Sequence, residues 1–112
     1  MAQDFTRHIA RDTGTSGADI FTADSDDAVI SLRLANIAAS AITADVFVTL
    51  SSNSHATKYY LVKAISIPSG SSVELIDGAS RFVMISGDRL SVDCNTNNAL
   101  DVWCSVVDAI ST

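Results

Sequence analysis

From Ala28 onward the chain alternates apolar and polar residues with a period of two. "AVISLRLANI" sets Ile30, Leu32 and Leu34 on one face and Ser31 and Arg33 on the other. "AITADVFVTL" does the same, with Ile42, Ala44, Val46, Val48 and Leu50 facing one way and Thr43, Asp45, Phe47 and Thr49 the other. Successive side chains of an extended strand point to opposite faces, so this alternation marks half-buried β-strands. The linking "ANIAASA", Ala35 to Ala41, is too short for a helix and reads as a hairpin connection. Further strands are expected at Lys58–Ile67, Ser72–Ile76, Arg81–Ser86, Arg89–Cys94 and Leu100–Ile110. Short strands at regular spacing predict an all-β protein, with a single antiparallel β-sandwich, jelly-roll-like, over residues 27–112. Residues 1–26 are less patterned, and two readings stand for them. They form short strands at Phe5–Arg11 and Asp19–Ala23 followed by an acidic loop, or an N-terminal arm that orders against a neighbour.

The punctuation fits a sheet protein. In "SIPSGSS", Pro68 presets φ for the first central residue of a turn, and Gly70 takes the left-handed conformation that closes it. Gly87–Asp88 reads as a tight two-residue hairpin between Ser86 and Arg89. Asn95 to Asn98 reads as a third turn, closing a simple hairpin between the last two strands. These corners are explained by backbone geometry and leave no residue over for chemistry.

Composition supports the same class. The chain has twelve Asp but one Glu (Glu74), and five Arg but two Lys (Lys58 and Lys63). Soluble helices coat their wet faces with Glu and Lys, so their scarcity argues against a helical protein. Ten Val, ten Ile, nine Thr and sixteen Ser favour strands and turns. The net charge of −6 and the absence of any run of Lys or Arg exclude nucleic acid as a direct partner. No span approaches the ~18 apolar residues needed to cross a bilayer, and the N-terminus has no apolar leader core, so no membrane role is expected and the chain reads as made in a cytosol.

Few residues suggest chemistry. In the hairpin register, Cys94 would oppose Ala99 and Cys104 would oppose Arg89, separating the two cysteines by on the order of 16 Å along the ladder. That exceeds the ~7 Å Cα limit for a disulfide, so free core thiols are expected. His55, in the polar "SSNSHATK", is expected as a solvated loop residue, and His8 has no evident partner. No nucleophile-elbow context accompanies the serines, and no catalytic residue or cofactor is expected. Asp24, Asp26 and Asp27 in "ADSDDA" are close enough to offer oxygens to calcium, yet the spacing is not that of an EF-hand loop and no Glu closes it. A solvated acidic loop is the plainer reading, with no metal. Asp93 and Asp101 point outward as surface charges, while Asp108 shares the parity of Cys104 and Val106 and needs a strand end or a buried partner.

Trp103 alternates away from Val102 and Cys104 and so leaves the core; Phe47 and Val107 do likewise. An apolar outer face packs either under the chain's own loops or against another protein. Trp103, Phe47 and Val107 are therefore the candidate assembly contacts.

The ordered set "DDAVISLRLANIAASAITADVFVTL", "KYYLVKAISIPSGSSVELI", "RFVMISGDRLSV" and "ALDVWCSVVDAI" resembles a group of small tailed-bacteriophage virion structural proteins. These share an "LANxxxxxITxDVxVT" strand pair, a "YYLVKxxxIPxGSS" corner, a "GDxLxV" hairpin and a final "DVxxSVxD" strand. The resemblance covers about residues 26–110. It implies a non-enzymatic β-sandwich subunit of the virion, made in the host cytoplasm. As a capsid cement or decoration subunit it would bridge the major capsid protein or other virion proteins on the outer surface, as a homotrimer. The alternative is a tail or neck component, or a module that binds a host receptor.

Overall fold

The computed structural model describes residues 5–76 and 82–108. Nine strands run along them: β1 (Phe5–Thr13), β2 (Ala18–Thr22), β3 (Asp27–Asn36), β4 (Ile42–Thr49), β5 (Tyr59–Ile67), β6 (Ser72–Ile76), β7 (Phe82–Met84), β8 (Arg89–Cys94) and β9 (Leu100–Val107). A 3₁₀ turn at Ser51–Asn53 is the one helical element among the described residues. The strands form two antiparallel sheets. Sheet A has the order β1-β9-β3-β6, with β7 also against β3, and sheet B has the order β2-β8-β4-β5.

The pairings have a simple origin. β1 lies on β9, β2 on β8, β3 on β6 and β7, and β4 on β5. These are successive rungs of one long hairpin whose tip is the β4–β5 loop. Wrapping that hairpin around itself sends alternate rungs to opposite sheets, which is the jelly-roll arrangement. Residues 5–22 belong to it fully, since β1 and β2 pair with β9 and β8 of the same chain.

The inner faces close on Val29, Leu32, Leu34, Ile42, Val46, Leu90, Val92, Leu100, Val106 and Cys104, each essentially inaccessible to water. Period-two alternation put Ile30 in this set, but the structure replaces it with Val29. A bulge between Val29 and Ser31 inserts Ile30 opposite β9, shifting the inward parity of β3 by one residue. Phe47 does leave the core, as its parity requires, while Val48 packs partly buried against it.

Three connections expected as hairpins are arches between the sheets. Residues 37–41 carry the chain from β3 in sheet A to β4 in sheet B, Gly87–Asp88 lies between β7 and β8, and Asn95–Asn98 lies between β8 and β9. The β3–β4 arch is held by Asn36, only 2% exposed, whose Nδ2 donates to the Ser40 and Ile67 carbonyls, each at 2.9 Å. Its Oδ1 accepts the Ala38 N–H at 2.8 Å. Gly87 has a φ of 96°, and a Cβ there would run into the Ser51 side chain. The β5–β6 corner does use Gly70 in the left-handed conformation, with φ 71°. Pro68 precedes the central pair rather than starting it, because its carbonyl accepts the Ser71 N–H at 3.1 Å.

The arches also overturn the hairpin register of the cysteines. Cys94 sits opposite Ala44 in sheet B, and Cys104 sits between His8 and Leu32 in sheet A. Both are buried free thiols. Burial pushes the Cys104 thiol up to about 12.

Candidate assembly face

The outer face of sheet A carries Phe5, Ile9, Val83 and Trp103 as exposed apolar side chains. Register places Phe5 opposite Val107, Val107 opposite Ala28, and Ala28 opposite Val83. These four residues form a continuous apolar row across β1, β9, β3 and β7. Phe5 is 81% exposed and Val83 is 56% exposed. Two rungs along β9, Ile9 opposes Trp103, and Trp103 opposes Arg33. Ile9 and Trp103 remain about half exposed. Trp103 stands between two shallow grooves, one lined by Ile9, Arg11, Ile37 and Asp101, the other by Ser31, Arg33, Glu74 and Ser105.

Charge frames this surface. The Arg7 guanidinium lies 5.3 Å from the Trp103 ring centroid, within cation–π range. Arg33 Nη2 reaches Glu74 Oε2 at 3.3 Å, and Ser31 Oγ donates to Glu74 Oε1 at 3.2 Å. Both ions of that pair are well exposed, so the pair orders side chains more than it stabilises the fold. Sheet A's outer face thus combines an aromatic anchor, aliphatic rows and arginines.

The three sequence candidates separate here. Trp103 and Val107 share the outer face of sheet A, whereas Phe47 lies on the outer face of sheet B and is only 8% exposed. Its ring packs against Tyr60 at 5.7 Å between centroids and under Lys58 Nζ at 4.5 Å. Phe47 is therefore covered by its own chain. Alternation did not single out Phe5, Ile9 and Val83. Pairing exposes the link, because only the register brings their strands beside Trp103 and Val107.

Sheet B's outer face mixes polar and aromatic side chains. Asp19, Ser91, Phe47 and Tyr60 line up across β2, β8, β4 and β5, with Ser91 Oγ donating to Asp19 Oδ1 at 2.8 Å. Asp45 and Asp93 face each other directly across β4 and β8. Burial first, then the adjoining Asp45 carboxylate, pushes Asp93 above its ordinary value. Burial works the same way on Asp45 but is outweighed. The Ala64 N–H at 2.6 Å, the Lys63 ammonium at 3.4 Å and the hydrogen bond with Asp93 hold Asp45 below its ordinary value. One proton shared by two carboxyl groups accounts for the opposite shifts.

The acidic loop is also regrouped. Asp24, Asp27 and Asp108 converge until a carboxylate oxygen of each lies within 4.8 Å of the others, and Asp26 is not among them. Ser25 Oγ links the group, donating at 2.7 Å to Asp27 and lying 3.1 Å from Asp108 and 3.4 Å from Asp24. Asp108 follows the last residue of β9, so it has both the strand end and the partner that its parity called for. His55 is not a solvated loop residue. Its Nδ1 lies 2.8 Å from Thr49 Oγ1, fixing the β4–β5 loop, and His8 stacks on Phe21 at 4.2 Å.

Compared with known proteins, the chain matches no family model, no curated protein and no solved structure.

Proposed function

We propose that this chain is a non-enzymatic structural protein of a tailed-phage virion, a cement or decoration subunit on the outside of the capsid. The observation that carries the reading is the outward-facing row Phe5–Val107–Ala28–Val83, exposed at both its ends, with Trp103 beside it. Contiguous apolar surface on a water-soluble brick marks a contact with another protein, and Trp and Arg are favoured at the centres of such contacts. The resemblance in strand and corner motifs supplies the setting. The net charge of −6 supports an outside location, since an acidic subunit is repelled by packaged nucleic acid.

The mechanism is mechanical. Subunits, acting as a homotrimer, pack through sheet A's outer face against one another and against the major capsid protein. Internal pressure must then break these added contacts before the shell opens.

A second reading has one observation in its favour. Tyr59 and Tyr60 are 50% and 43% exposed beside the β4–β5 loop, where a tail or host-receptor-binding module would present aromatic side chains. Immunogold labelling of purified particles with antibody to this chain separates the two. Dense label over the head is the expected result. Label confined to the tail would favour receptor binding, and unlabelled particles would overturn both.

A further inference from the structure

We propose that the occupant of sheet A's outer face is the acidic end of a second copy of this chain, docked head to tail. The inference rests on reading that face as an assembly surface and identifies what covers it. Two independent features of the molecule match each other.

The first is the charge of the face. Arg7, Arg11 and Arg33 project from it against Glu74 and Asp101, so basic residues outnumber acids there while the chain as a whole carries −6. Around Trp103 the surface is apolar in the middle and basic at its rim. A two-fold pairing that laid Trp103 on its own copy would set these arginines against one another, and like charges across an interface oppose association. The complementary partner is acidic with an apolar tip.

The second feature is one end of the sandwich, which has that character. The turn after β2 bonds to the β7–β8 turn, with Ala23 N–H donating to the Asp88 carbonyl at 2.8 Å and Gly87 N–H to the Ala23 carbonyl at 2.7 Å. Asp108, at the end of β9, joins through Ser25. Asp24, Asp26, Asp88 and Asp108 are thereby gathered at one end, above the buried Asp27 and next to Ile85, which is 55% exposed. An apolar knob ringed by aspartates fits an apolar surface rimmed by arginines. The end and the Trp103 patch use different residues, so a copy can offer the one and receive the other, and such a contact propagates into a closed ring or a filament.

Sedimentation velocity on the purified full chain tests this, first across salt. Association is expected at low ionic strength and is expected to weaken about tenfold or more between roughly 50 mM and 1 M salt, because the rim pairs are exposed. Next, Arg7→Glu/Arg33→Glu and Asp24→Lys/Asp26→Lys are each expected to sediment as monomers with unfolding midpoints near the parent's. Mixed in equal amounts, the two variants are expected to reassociate, since each then presents a surface opposite in charge to its partner's.

A parent chain that is monomeric at all salt concentrations would overturn head-to-tail docking. So would an Asp24→Lys/Asp26→Lys variant that associates like the parent, the pattern of face-to-face pairing. If a reversed pair unfolds the protein, Arg7→Gln and Asp24→Asn carry the same comparison. Monomers in solution together with gold label on heads would remove this docking and leave the capsid reading standing. Head-to-tail association with unlabelled particles would do the reverse.

Discussion

Asn36 Nδ2 donates to the Ile67 carbonyl at 2.9 Å, tying the end of a strand in one sheet to the end of a strand in the other. Asn36 satisfies its amide on three backbone groups while buried, so its loss leaves those groups unpaired in the interior. Asn36→Ala is expected to lower unfolding stability by about 2–3 kcal/mol in a urea titration. Asn36→Asp should be at least as costly, because it removes both donors and buries a charge. A loss within experimental error for Asn36→Ala would mean the arch is held by other contacts.

Asp45 and Asp93 predict a pH dependence with a definite sign. Asp93 has a raised carboxyl, so the stability it contributes is lost as pH rises through that raised value. Asp45 has a lowered carboxyl, so its contribution is lost as pH falls through its lowered value. Asp93→Asn keeps a donor for Asp45 without the charge. Thermal unfolding is expected to show the variant above the parent at pH 7 by a few tenths to about 1 kcal/mol, after allowance for solvent screening. That gap should close as the pH falls through the raised Asp93 value and the carboxylate is protonated. A gap that does not change with pH would remove the shared-proton account.

Cys104 is inaccessible and its thiol is pushed up to about 12, so it is a poor nucleophile as well as a hidden one. Neither cysteine is expected to react with a thiol reagent at pH 8 until the fold opens, after which both should react. Cys104→Ser would leave a hydroxyl among apolar side chains and is expected to cost about 1–3 kcal/mol. Fast labelling of the folded protein would show that sheet A opens locally.

Trp103 should separate folding from assembly. Its side chain is half exposed and lies under the Arg7 guanidinium, so Trp103→Ala is expected to change unfolding stability by about 1 kcal/mol or less. Self-association and binding to particles should be lost. Unchanged binding would remove Trp103 from the contact.

Much of the sheet was legible because strand alternation is a local property. The inward sets of β4, β8 and β9 follow from residue parity, and so does the outward position of Trp103, Val107 and Phe47. Ile30 was misread because a bulge leaves no mark in a binary pattern; nothing in "AVISL" says which residue is the extra one. Phe47 was read as leaving the core, but its cover could not be read, since Lys58 and Tyr60 reach it only once β5 lies beside β4. The acidic group was half legible. Asp24 and Asp27 are neighbours in the chain, while Asp108 arrives from the far end of it.

The sequence by itself determined the strand class, the corners and the burial of both thiols, because period-two patterning and turn chemistry act over a few residues. Tertiary structure alone decided that the corners are arches, that Asn36 closes one of them, and that Phe5, Val107, Ala28 and Val83 share a row. The physical reason is that a hairpin and an arch use the same turn residues. They differ only in which strands meet, and that is settled by burying two apolar faces together across long stretches of chain.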